Sequence, residues 1–544
     1  MTINRYIYLI ITLLMCLVAG QSVAQKQGNI KGDRLVGGKN KDGERYEKWI
    51  GNVVFVQEGT RIYCDSALYY RSREVVEAFG DVRILDGDSV TITGRKLTYR
   101  GKEKKSTLLD DVVYKKDSIT LYTDILNYNL NSKVADYIGG GRIVDPRNEL
   151  TSRIGTFFSA EDFMQFKDEV VLKNDEYTLY SDTLVYYTET KVADFRGATR
   201  ILGPDGTVNA ENGLLYRTSG KQSTLREGKV ESESYVLSGL RLFSDELRNF
   251  YRANTDVQLV SKEQDVIITG DEGRYWKDQG LTKIYGRAVM KKILGQDTVY
   301  LSADTLVAID SKVEAEKRVL AYPDVRIWKT NLQGRADSLA YYVADSLIRF
   351  FEDPILWSDK NQIEGDSIWI TLRDGGIENM FVKQNSFVVS EDTLGNYNQV
   401  KGRNMVARFR DNAIKIVDVE GNGESIYFAL ENDSIMTGMN KIICSNMRLF
   451  FEDNQLSKIN FYVEPDASFF PPHEIAAAQR TLPGFVWRIE KRPTLQDVLL
   501  RSDIAEEEEE QTLPGMEFYE EEGPEAGASN AELSEKEVEV SNND

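Results

Sequence analysis

Ile62-Tyr63-Cys64-Asp65-Ser66-Ala67-Leu68-Tyr69 returns as Ile92-Thr93-Gly94-Arg95-Lys96-Leu97-Thr98-Tyr99, and again as Leu121-Tyr122-Thr123-Asp124-Ile125-Leu126-Asn127-Tyr128. The phrase persists from Leu179 to Tyr186, Leu301 to Leu306, Gln333 to Tyr341 and Ile363 to Ile368. Its charged position gives the register. Asp65, Arg95, Asp124, Arg153, Asp182 and Glu211 step by 30, 29, 29, 29 and 29 residues, and Asp271, Asp304, Asp337 and Asp366 continue by 33, 33 and 29. Self-similarity at this period, with strand chemistry throughout, defines a stacked repeat array running from roughly residue 50 to 450.

A second phrase opens each unit: a Gly or Asp followed by alternating apolar residues. Examples are Gly51-Asn52-Val53-Val54-Phe55-Val56, Gly80-Asp81-Val82-Arg83-Ile84-Leu85, Asp168-Glu169-Val170-Val171-Leu172 and Asp324-Val325-Arg326-Ile327-Trp328. Alternation such as Val82 and Ile84 around Arg83 marks a strand with one buried face. Turn residues such as Asp86-Gly87-Asp88 and Gly203-Pro204-Asp205-Gly206 separate the phrases. Each unit therefore predicts two strands joined by a tight turn, with the Gly or Asp at the opening of a strand. The 544 residues suggest several domains, but a stack is quasi-one-dimensional and predicts one continuous core over residues 33–465.

The flanks read differently. Residues 1–24 have the pattern of a cleavable secretory signal: Arg5, an apolar run from Ile7 to Ala19, and Ser22-Val23-Ala24 as the small-x-small site. Met15 before Cys16 argues against lipidation, and no later segment is apolar enough to span a bilayer as a helix. Cys64 and Cys444, near opposite ends of the array at about 4.8 Å per stacked strand, are predicted to be free buried thiols. The net charge of -20 is concentrated in residues 506–544, where 15 acidic residues face a single Lys536. That tail has the composition of a disordered segment. Between array and tail, residues 466–505 contain Pro471-Pro472, two short helix candidates (His473 to Arg480 and Thr494 to Leu500) and the aromatic stretch Phe485-Val486-Trp487. This segment reads as a cap over the last sheet edge.

Catalytic chemistry is sparse. The one histidine, His473, follows the Pro pair and has no nucleophile near it in sequence, which argues against Ser-His or Cys-His catalysis and histidine-based metal sites. Gly139-Gly140-Gly141 and Gly421-Asn422-Gly423 lack the spacing of phosphate loops. The recurrent aspartates are the remaining enzymatic candidates, since paired carboxylates suffice for glycoside hydrolysis. A catalytic acid is needed once, whereas this Asp recurs at one slot in unit after unit. A backbone role at a strand bend fits that repetition better.

Gly51 to Tyr70, Gly80 to Tyr99, Asp168 to Tyr186 and Gly286 to Leu306, behind a signal-like segment, resemble the OstA/LptA family of lipopolysaccharide-transport proteins. The resemblance implies an all-β fold, an elongated antiparallel β-jelly-roll or β-taco array, in which two sheets pack as a V around an apolar groove for acyl chains. It also implies periplasmic localisation with association at the outer membrane, no cofactor and no catalysis. The implied partners are lipopolysaccharide, through its lipid A acyl chains, and other β-taco components of the transport bridge, with no nucleic acid. Two departures stand out: the array is longer than one compact family member, and the Pro-Pro, aromatic and acidic ending is unusual.

Alternating apolar positions give the groove-or-core candidates Val82, Ile84, Ile92, Leu121, Val170, Leu172, Leu179, Val289, Leu301, Val325, Ile327 and Ile355. Groove lining and core filling both demand inward apolar side chains, so the pattern leaves both roles open. Three functions follow: a periplasmic lipid-binding conduit, a non-catalytic envelope scaffold or adaptor filled by its own side chains, and a polysaccharide-active β-helix enzyme. The third would favour a shorter coil, Asn ladders and an Asp/Arg/Lys cluster, which the sequence lacks.

Overall fold

The computed structural model describes residues 29–500 apart from one to three residues at several hairpin tips. The signal-like residues 1–24 and the acidic residues 506–544 lie outside the described residues. From Asn29 to Phe470 the chain is strand after strand, interrupted by short turns of 3-10 helix at Lys277–Gln279 and Glu314–Glu316. Each strand pairs antiparallel with neighbours close in sequence, giving one continuous sheet of the expected β-jelly-roll kind.

The strands are longer than the phrases suggested. Val75–Asp86 and Lys105–Lys116 begin well before the Gly or Asp of the second phrase, and Val90–Arg100 and Ile119–Asn129 contain the whole first phrase. The Gly or Asp expected at a strand opening sits instead at mid-strand, in left-handed backbone: Gly51 and Asn52, Gly80, Asp110 and Asp111, Asp168 and Glu169, Gly286 and Arg287. Around it the bending strand carries one residue more than its partner. Gly80 and Asp81 together oppose Arg95, between the pairs Phe79 with Lys96 and Val82 with Gly94. Such a bulge bends and twists a strand. Repeated at one level in strand after strand, it folds the whole sheet along a line, here called the crease.

The sequence phrases now acquire their physical meaning. Left-handed backbone favours Gly, Asn and Asp, which explains the opening residue of the second phrase. The recurrent Asp of the first phrase lies against the bend: Asp65 Oδ2 accepts the Asp81 N–H at 3.3 Å, and a Cβ on Gly80 would collide with that carboxylate. Where an Arg replaces Asp, an acid takes the facing position. Arg95 pairs with Asp111 at 2.6 Å and Arg153 with Glu169 at 2.8 Å; the order is reversed at Asp271 with Arg287, 2.8 Å. These exposed pairs contribute little to stability; they mark the outer spine of the crease.

The crease divides the sheet into two walls. Wall A lies between the crease and turns such as 145–148 and 174–177, wall B between the crease and turns such as 71–74 and 101–104. Inner side chains of both walls pack together in one cluster extending to Val257 and a second beginning at Ile284. The continuous core expected from the sequence is thus divided. The strand between, Val266–Trp276, places Gly270 and Gly273 in the inward slots that larger residues fill elsewhere. The first module precedes this strand and the second follows it.

The C-terminal segment corrects the edge-cap expectation. Residues 471–500 run back along the outer face of wall A of the second module as a strap, ending in a helix at Leu495–Leu500. Buried glutamines hold it. Gln399 donates to the Arg480 carbonyl at 2.9 Å and accepts the Leu482 N–H at 2.7 Å; Gln362 does the same with the Val486 carbonyl and the Arg488 N–H, both at 2.8 Å. Each amide thus replaces a pair of strand-ladder bonds. Gln333 accepts from the Arg492 guanidinium at 2.8 Å. Beneath the strap Phe387, Val389, Ile426, Phe428 and Met439 form a separate apolar cluster with Leu482, flanked by Phe485 and Trp487. The last strands, Gln455–Tyr462 and Asp466–Phe470, each pair on one side only, with Ile435–Glu452.

Candidate functional site

Cross-strand register builds the interior from single residues. On wall A, Ile62 faces Ile84, Ile84 faces Ile92, and the partners continue through Tyr114, Leu121, Ile143, Leu150, Leu172, Leu179 and Ile201. The same row proceeds through Val208, Val230, Leu237, Leu259, Ile268, Met290, Leu301 and Ile327. After Gly334 it resumes with Leu356, Ile363, Val388 and Val400, and the first polar residue is Ser425. An apolar line therefore crosses both modules, including the strand where the two core clusters separate.

Wall B carries an equivalent row. It passes from Ala67 through Ala78, Leu97, Leu108 and Leu126 to Tyr137, and later through Leu306, Ala321, Leu339, Phe350, Ile368, Val382 and Met405. Of these, Ala67, Leu97, Leu126, Leu306, Leu339 and Ile368 stand two places after the charged slot of the first phrase, a signal present in the sequence that the candidate set passed over. Two residues further on, the tyrosines that close the phrase, among them Tyr186, Tyr216 and Tyr341, lie nearer the open edge and pack against the clusters. Tyr216 is pushed up to about 12 by burial first, then by Glu246 on its own wall and by Tyr177 and Glu176 of the wall A turn.

The twelve candidates divide by depth and by face. Ile84, Ile92, Leu121, Leu172, Leu179, Leu301 and Ile327 all belong to the long wall A row. Val82, Val170 and Val325 lie one step deeper, beside the crease, each 1% exposed. Ile84, Ile92, Leu172 and Ile327 are half-buried, the deeper valines closed off by them and by wall B. The remaining two are corrected. Val289 pairs with Ser302, which pairs with Arg326; Arg326 pairs with Arg335, and Arg335 with Ile355. That row is on the outer face, where Arg326 reaches the Asp497 carbonyl of the strap. Val289 and Ile355 therefore face outward on the strap-bearing side of wall A. Their burial resembles that of inward residues, so alternation alone assigned them the wrong face.

The crease needs small side chains on its inner side. Cys64, Gly94, Ala303, Ala336, Gly365 and Cys444 occupy that slot. Both cysteines are free and buried, as expected, and burial pushes the Cys64 thiol up to about 11, so it stays neutral. Tyr137 is a local exception: its ring occupies the space left by Gly141 and Gly155, and its hydroxyl meets Ser152 Oγ at 2.7 Å.

Comparison with known proteins agrees with this geometry. Residues 30–182 match the family model described as OstA-like protein, and residues 293–375 match that of the LptA/(LptD N-terminal domain) LPS transport protein. The two matches fall on either side of the break between the core clusters. Among curated proteins none matches the chain. Among solved structures, LptH from Pseudomonas aeruginosa, described as the LptA-homologous periplasmic component of the conserved lipopolysaccharide transport device, is 13% identical over 20% of this chain and 81% of its own, with a TM-score of 0.18. The first module thus carries an OstA-like stretch and the second an LptA/LptD-N-like stretch on one folded antiparallel sheet, and over these residues the chain is similar to the OstA/LptA-like lipopolysaccharide-transport proteins.

Proposed function

We propose that this protein carries lipopolysaccharide across the periplasm, sheltering the acyl chains between walls A and B, without catalysis, with other components of the transport bridge as partners at its ends. The observation that supports this reading is the unbroken apolar row of wall A, from Ile62 to Ile327. Acyl chains in transit need continuous apolar cover, worth about 25 cal/mol per Å², and an even row offers no single deep trap. Among the described residues, hydrogen-bonded pairing joins the walls only along each strand through the crease. Separation at the mouth therefore breaks no ladder.

A second reading, an envelope scaffold, is favoured by the deepest rows: Val82, Val170 and Tyr137 are filled positions, 1%, 1% and 0% exposed. One experiment separates the two. A photo-crosslinking side chain at half-buried Ile84, Leu172 or Ile327 should capture glycolipid in cells, whereas one at outward Lys173 should capture little. Folded, exported protein that captures no lipid at any of the three inward positions would leave the scaffold.

A further inference from the structure

The outer face of wall A differs between the modules. On the second module it combines an apolar cluster with Arg326 and the buried glutamines, and holds the strap. On the first it carries a repeating line of Tyr, Arg, Thr and Val in continuous register: Tyr63 with Arg83, then Thr93 and Val113; Tyr122 with Arg142, then Thr151 and Val171; Tyr180 with Arg200. The tyrosines recur at intervals of 59 and 58 residues, as do the arginines, twice the basic repeat. Four strands separate successive pairs, or about 19 Å.

Each arginine is exposed, as are Tyr122 and Tyr180, 38% and 44%. The Arg83 guanidinium lies 4.9 Å from the Tyr63 ring centroid, and that of Arg142 lies 4.5 Å from Tyr122. Such stacking fixes the guanidinium while leaving its N–H edges for a carboxylate or phosphate. Glu149 takes one bond from Arg142, at 3.1 Å. No carboxylate pairs with Arg83 or Arg200 among the described residues.

We infer that this face is a docking surface for an extended acidic polypeptide of a partner protein. Two observations select that occupant. Along the crease the stripe is bounded by exposed acids, Asp81, Asp111, Asp124, Glu169 and Asp182, which outnumber Arg95 and Arg153, while at the turn edge Asp175 and Glu176 stand beside Arg147 and Lys173. A broad anionic bilayer would be repelled by the crease border, whereas a single acidic strand fits along the arginines beside it. The corresponding face of the second module already holds an extended polypeptide running across the strands, so wall A has the geometry for such a ligand.

The test is fluorescence anisotropy of a labelled glutamate-rich peptide with the full chain at low and high salt, beside sedimentation with phosphatidylglycerol-containing vesicles. The triple variant Arg83→Glu, Arg142→Glu, Arg200→Glu should bind the peptide at least about tenfold more weakly, and salt should weaken the wild type. Reversal of exposed lysines elsewhere, Lys39→Glu, Lys102→Glu and Lys360→Glu, should leave binding near wild type. Circular dichroism checks that both triples keep the strand spectrum. Equal peptide binding by the arginine triple, or no binding by the wild type, overturns the proposal. Arginine-dependent binding of vesicles without the peptide replaces the occupant with a lipid surface. Lipid capture at the inward positions is read separately, so failure here leaves the transport reading intact.

Discussion

The side chain just before the charged slot decides how closely the two walls approach. Cys64, Gly94, Ala303 and Gly365 differ in chemistry but share small volume, because each points into the crease. At Gly365 a Cβ would stand 2.5 Å from Val382 Cγ1, with the Lys383 and Gln384 carbonyls also close. Gly365→Val should therefore destabilise the second module by about 1–3 kcal/mol, the usual cost of overpacking, seen as a lower denaturation midpoint. An unchanged midpoint would mean that the crease yields more readily than its packing suggests. The aspartates at the neighbouring slot are explained at the same scale: their contacts are to the bend, through Asp65 to the Asp81 N–H and Asp366 to the Asn385 amide.

At the scale of elements, the strap is held by geometry that side-chain amides copy from strands. Gln362 and Gln399 are 1% and 0% exposed, and each satisfies one carbonyl and one N–H of the strap. Replacing either by Leu leaves strap backbone groups unpaired over an apolar surface, a cost of about 1–3 kcal/mol for each group left buried. The double variant Gln362→Leu, Gln399→Leu should release the strap locally before the sheet unfolds. Trypsin under native conditions should then cut after Arg480, Arg488 or Lys491 faster than in wild type. Protection equal to wild type would shift the weight of attachment to Leu482, Phe485 and Trp487.

Over the whole molecule, two packed clusters share one sheet. The break at Gly270 and Gly273 separates packing but not backbone pairing, since the ladder runs through Val266–Trp276 on both sides. In a stack, stability is carried by local units and their neighbours. A chain ending at Phe470 should therefore lose protection mainly where the strap was. Amide hydrogen exchange should accelerate in the strands from Val325 to Met439, and remain near wild type in the strands from Val75 to Val185. Uniform acceleration would show that the modules unfold as one. Inner-row continuity across the break lets a divided core still present an undivided apolar line.

The repeat, the strand chemistry, the free cysteines and the bend role of the aspartates were legible in the sequence, because each follows from local spacing and residue type. Seven of the twelve interior candidates fell in a single row for the same reason: side chains alternate strictly along a strand. The sequence could not place the bend, since a mid-strand Gly-Asp and a turn Gly-Asp have the same composition. It could not assign Val289 and Ile355 either, because burial by a strap and burial by a facing wall select the same apolar residues. Nor did local pattern reveal that Gln362 and Gln399 are buried anchors for residues 480–488, more than eighty positions away in the chain. Those assignments depend on which surfaces meet, and only the folded sheet brings them together.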